Sequence, residues 1–150
     1  MTGFRRKARI AALQTLYEID CSAHGPEEVL ARLLQEKALP EEAADFTREL
    51  VTGILQNKED IDDTIRRFAP AFPVEQIATI DRNILRLAIF EILLDNRTPV
   101  KAAINEAVEL AKSFGSDTSQ KFVNGVLGSV VADCVQQGRG QELIERTKRV

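Results

Sequence analysis

The chain has 150 residues, 44% hydrophobic and 29% charged, a composition that fits one globular domain and argues against disorder. A net charge of −3 argues against a uniformly nucleic-acid-coating surface, and no apolar run approaches the ~18 residues of a membrane span. Aromatic residues make up only 5% and there is no Trp, so the core must be mostly aliphatic.

The charge is unevenly placed. Arg5, Arg6, Lys7 and Arg9 are the only charged side chains before Glu18. The first predicted helix covers 4–22, with Ile10, Leu13 and Tyr17 as an apolar face that would anchor it. Cations at a helix N-terminus oppose its dipole, which an anionic partner would relieve. From charge alone the cluster reads either as a solvated first turn or as a phosphate-binding surface. No apolar segment of the secretory type follows it.

Further helices are predicted at 26–36, 41–57, 59–68 and 74–79. Pro26, Pro40 and Pro73 stand where helices begin, each followed within two residues by Glu. The stretch Ala69-Pro70-Ala71-Phe72-Pro73 is the clearest internal break and divides helical subdomains of about 1–69 and 74–137. The segment 82–95 is apolar on nearly every face and should be buried against several neighbours. Arg86 and Glu91 interrupt it, as an ion pair or as a partner surface.

Thr98 and Pro99 fit the start of a helix over 99–114, whose apolar period runs Val100, Ile104, Ala107, Val108, Ala111, Phe114. Gly115 suits a C-terminal cap, and Asp117 with Gln120 resembles a capping box opening 118–136. Asn105 and Asn124 read as buried amides linking helices, and Gly125 and Gly128 as points of close helix approach. A break at Gly138–Gly140 precedes a polar tail, so the tail is taken as 138–150. No segment reads as a strand, and the fold class is all-α.

Catalytic chemistry finds little support. Cys21 and His24 offer two ligands, too few for a closed zinc site, and no metal is expected. No glycine-rich phosphate loop occurs, the carboxylates read as solvated helix faces, and no cofactor is implied. Cys21 and Cys134 lie far apart and are expected as reduced thiols. Lys121 and Phe122 stand near a predicted helix start. They read as a solvated lysine and a core ring, or as a phosphate contact and a base-stacking ring.

Three blocks carry a family resemblance: INEAVELAKSFG (Ile104–Gly115) with KFVNGVL (Lys121–Leu127), RNILRLAIFEILL (Arg82–Leu94) and RRKARIAALQTLYEID (Arg5–Asp20). Together they strongly resemble NusB-type transcription antitermination factors. The resemblance implies an all-α fold of about seven or eight helices in two packed subdomains. It implies a cytoplasmic, non-catalytic RNA-binding factor rather than an enzyme. Such a factor binds the single-stranded boxA element of ribosomal RNA leader transcripts, pairs with NusE, and acts on RNA polymerase with other Nus factors. Arg5, Arg6, Lys7 and Arg9 would then meet phosphates, with Ser119, Lys121 and Phe122 on the same RNA-facing side. This chain has Thr118 where many relatives carry an acidic residue. The protein partner would meet the second subdomain around Glu75, Arg82 and Arg86. The alternative is a helical protein–protein adaptor, or a homodimer, with no RNA role of its own.

Overall fold

A computed structural model describes residues 2–95 and 97–139. These form seven α-helices and no strand, in two compact units that divide between Asn57 and Lys58. The division differs from the predicted break at Ala69–Pro73. That proline-containing break is real, but it lies inside the second unit, between the helix Lys58–Phe68 and a short 3-10 turn at Val74–Gln76.

In the first unit, α1 (Thr2–Cys21) packs against α3 (Glu41–Gln56) and α2 (Pro26–Lys37). Pro26 occupies the first turn of α2, where its missing N–H costs no hydrogen bond, and Glu27 and Glu28 follow at the positive end of the dipole. The buried face of α1 is Ala8, Ala11, Ala12, Leu13, Thr15 and Leu16, joined by Phe46, Leu50, Val51 and Ile54 of α3. Each fully buried Leu or Ile contributes about 1.5–3 kcal/mol. The anchoring face is therefore rotated from the predicted one, for Ile10 is half-buried and Tyr17 is 41% exposed. Thr47 Oγ1 donates to the Ala43 carbonyl at 2.8 Å and lies 3.3 Å from the Ala8 carbonyl, which ties α3 to α1.

A polar clasp joins α1 to α2. The Arg32 guanidinium donates to Glu18 Oε2, and His24 Nδ1 lies 3.0 Å from the same oxygen. The hydrogen bond from Arg32, then that with His24, holds the Glu18 carboxyl below its usual value. A depressed folded value means the clasp stabilises above the ordinary carboxylate value of 4.5 and loses that contribution as pH falls through the folded one. Urea melts of wild type and Glu18→Gln should therefore differ near neutral pH and converge on acidification. A gap that widens toward low pH would contradict the assignment.

In the second unit, α5 (Thr79–Ile89) packs against α4 (Lys58–Phe68), α6 (Val100–Phe114) and α7 (Ser119–Cys134), and α6 also pairs with α7. The predicted helix 82–95 is here α5 followed by a π turn over Phe90–Asp95. Every residue from Asn83 to Ile92 is buried, as apolarity on every face requires. Glu91 is 1% exposed and accepts a hydrogen bond from Thr98 Oγ1 at 2.9 Å. Thr98 thus serves the core, and Pro99 takes the N-cap position of α6.

Arg86 is also internal. It is 5% exposed and grips Asp62 of α4 with both ends of its fork, Nε to Oδ1 at 2.8 Å and Nη2 to Oδ2 at 3.0 Å. Of the two readings of Arg86, the ion pair is the observed one. Its place on a partner surface is corrected, because a bidentate pair at this burial leaves the guanidinium facing inward.

Several other expectations are corrected. Asn105 and Asn124 are exposed, not buried between helices. A Cβ added at Gly125 or Gly128 would meet nothing within 4 Å, so neither glycine serves close packing. The α6 face keeps Val100, Ala107 and Ala111 buried but uses Ala103 and Leu110 as well, while Phe114 is 37% exposed. Among the described residues neither Cys21, which is exposed, nor Cys134, which is buried, forms a disulfide. The chain continues past α7 as a π turn over Val135–Arg139 where the break was expected. The rest of the polar tail lies outside the described residues.

Candidate nucleic-acid interface

The cationic end of the first unit is built on α1. No acidic side chain lies in the first turn of that helix, so the positive dipole end and the cations reinforce one another. Arg6 and Lys7 are exposed and Arg5 is half-buried. The Arg5 guanidinium carbon stands 4.8 Å from the centre of the Phe46 ring and 5.6 Å from that of Phe4. Arg9 is only 3% exposed, with its guanidinium carbon 5.5 Å from the same Phe46 ring. Its role as a solvent-facing phosphate ligand is corrected: one helical turn of advance carries the side chain off the surface and into the packing of α1 on α3. Phe46 was not singled out in the sequence. Nothing local marks it, since it lies on the apolar period of α3 and reads as core.

The second unit presents the start of α7. Lys121 is exposed and Phe122 is half-buried, and the first turn again lacks an acidic residue. Ser119 is 1% exposed, and its Oγ accepts the Ser116 N–H at 2.9 Å. The Ser119 N–H in turn donates to the Ser116 carbonyl at 3.1 Å. Ser119 therefore fastens the turn before α7 and is withdrawn as an RNA contact. The expected capping box at Asp117 and Gln120 is replaced by this Ser116–Ser119 exchange, one residue earlier.

Gly115 fits the same device. Its backbone is ordinary extended chain, so space and not conformation demands glycine. An added Cβ would sit 2.4 Å from Ser119 Oγ and 2.8 Å from the Ala111 carbonyl oxygen. Gly115→Ala should cost about 1–3 kcal/mol by overpacking. A thermal melt checks this, and an unchanged midpoint would show that the turn relaxes freely.

The residues expected to face a protein partner divide in three ways. Glu75 is exposed, with Oε1 3.6 Å from Arg66 Nη2. Arg82 is half-buried and donates from Nη1 to the Val74 carbonyl at 3.2 Å, which closes the 3-10 turn Val74–Gln76 onto α5. Arg86 is internal, as described above. Nearby Asp81, 8% exposed, has one carboxylate oxygen, Oδ1, with no hydrogen-bond donor among the described residues.

The concavities of the first unit lie elsewhere, along α2. One, of about 610 Å³, is lined by Leu30, Leu34, Leu39 and Arg48 among others, and contains no His or Cys. Among the described residues no group of three or more His, Cys, Asp or Glu is placed to hold a metal ion, and no helix is long and apolar enough to cross a membrane.

The described residues define an all-α protein of two small helical units, with an arginine-rich first helix and an exposed lysine near the start of α7. The chain belongs to the NusB family, whose family model matches residues 6–132. It is 55% identical over 140 residues to the transcription antitermination protein NusB of Dehalococcoides mccartyi, covering 91% of this chain and 98% of that one. Against the NusB of a Roseiflexus species the identity is 48% over 142 residues, covering 93% and 100%. The fold is similar to that of T. maritima NusB, with a TM-score of 0.78 at 34% identity over 84% of this chain and 89% of that one. It is also similar to a chain from a structure of antitermination factors NusB and NusE in complex with dsRNA. There the TM-score is 0.80 at 27% identity, over 87% of this chain and 97% of that one.

Proposed function

We propose that this chain is a non-catalytic, cytoplasmic RNA-binding antitermination factor. It binds the boxA element of ribosomal RNA leader transcripts together with NusE, and the assembly acts on RNA polymerase with other Nus factors. The observation that carries this reading is the exposed Arg6 and Lys7 beside a half-buried Arg5, at a helix end without acidic residues, in a chain of the NusB family. Phosphates meet these three side chains, and Lys121 and Phe122 supply a further cation and a ring on which an unpaired base stacks. The protein partner meets the region of Glu75 and Arg82, where the Glu75 carboxylate is exposed.

The reading is tested by titrating the protein against a boxA-like single strand and a duplex of the same sequence, at two salt concentrations. The single strand is expected to bind more tightly, with an affinity that falls as salt rises because counterions are released. Absent or salt-independent binding would contradict the proposal and leave a helical adaptor for proteins.

A further inference from the structure

We infer that Phe46 is a positioning residue for RNA binding: its ring holds the Arg5 guanidinium in place for a backbone phosphate. The inference rests on the RNA-binding reading and assigns a role within it to a residue that would otherwise count only as core.

Several other arginines of this chain are held by carboxylates. Arg48 pairs with Asp45, Arg67 with Asp133, Arg86 with Asp62 and Arg97 with Asp95, all at 2.7–2.9 Å. Each spends donors on a carboxylate. Arg5 is held differently. It is half-buried, yet among the described residues it has no hydrogen-bond or ion-pair partner, and its guanidinium carbon lies over the rings of Phe46 at 4.8 Å and Phe4 at 5.6 Å. A cation attracted to a ring face is bound through its charge, so the guanidinium keeps all five N–H donors for another ligand.

The same Phe46 ring also lies 5.5 Å from the Arg9 guanidinium carbon. Two guanidinium groups drawn to one ring repel each other. The first turn of α1 carries no acidic residue, and the helix dipole adds to the positive potential at Arg5. An anion arriving at Arg5 relieves all of these terms at once. Phe46 itself is 4% exposed and fixed in α3, so the platform is rigid. Stacking restricts the long Arg5 side chain before RNA arrives, which lowers the entropy lost on binding. A phosphodiester matches the forked donors of Arg5 in shape and charge.

The test is a double-mutant cycle on the full chain, read as affinity for the boxA-like RNA. Phe46→Leu keeps an apolar side chain in the core and removes the ring. It should weaken RNA binding about three- to tenfold. In an Arg5→Ala background the same change should leave affinity unaltered, because the group that Phe46 positions is gone. Arg5→Ala alone should flatten the salt dependence by about 0.7 in logarithmic slope, the loss of one phosphate contact on a single strand. An equal loss from Phe46→Leu in both backgrounds would overturn the inference, since it would show a general effect on packing. So would wild-type affinity in Phe46→Leu. Should Phe46→Leu lack a folding transition, Arg5→Lys makes the comparison: it keeps the charge but loses the planar fork, and wild-type affinity there would overturn the inference. Failure of the RNA reading itself is distinguishable, because the unmutated protein would then not bind the RNA.

Discussion

Replacing Asp62 with alanine is expected to lower stability by about 3–5 kcal/mol, because it removes one partner of a buried bidentate ion pair in the second unit. Arg86 is 5% exposed and Asp62 7% exposed, and Asn83 Oδ1 also lies 3.0 Å from Arg86 Nη1. A chain of this size loses about 2–4 °C in melting temperature per kcal/mol, so the midpoint should fall by roughly 6–20 °C. The paired change Asp62→Leu with Arg86→Met should recover most of the loss, since buried ion pairs are often no more stabilising than apolar replacements. An Asp62→Ala midpoint close to wild type would mean that water reaches Arg86 and the pair is not internal.

The second large effect concerns RNA. The double reversal Arg6→Glu with Lys7→Glu should weaken RNA binding at least about tenfold, because each unit charge 4 Å from a phosphate is worth about 1 kcal/mol even in water and reversal turns attraction into repulsion. Both residues are exposed, so the melting temperature should hardly change. Arg9→Glu is expected to behave otherwise. It would bury a carboxylate beside the Phe46 ring and lower stability, so a loss of RNA affinity in that variant would report on folding. Anisotropy titration and thermal melts on the same samples separate the two cases. Unchanged affinity in the Arg6, Lys7 variant would remove the first helix from the RNA surface.

Much of the fold was legible because its signals are local. Pro26, Pro40, Pro73 and Pro99 mark helix starts, and the all-round apolarity of 82–95 foretold the buried centre of the second unit. What escaped depends on which side of a helix meets a neighbour. The sequence places Arg5 and Arg9 one turn apart as if equivalent, but α3 covers the Arg9 side and leaves Arg5 at the edge. Asn105 and Asn124 lie within apolar runs, yet fall on the outward arc of their helices. Ser119 reads as a surface hydroxyl until the preceding turn folds over it. Phe46 is the clearest case: as sequence it is one apolar residue in a helical period, and only the fold of α1 onto α3 brings two guanidinium groups to its ring. The division at Asn57 was missed for a related reason. Helices α3 and α4 are separated by one residue with no proline or glycine, whereas the conspicuous Pro70–Pro73 stretch only bends the chain within the second unit.

The most direct test of the central claim is an anisotropy titration of a boxA-like RNA and a scrambled control, each with and without purified NusE. The account predicts selective binding to the boxA-like RNA, with NusE increasing both affinity and selectivity. Equal binding of the two RNAs, unaltered by NusE, would contradict it.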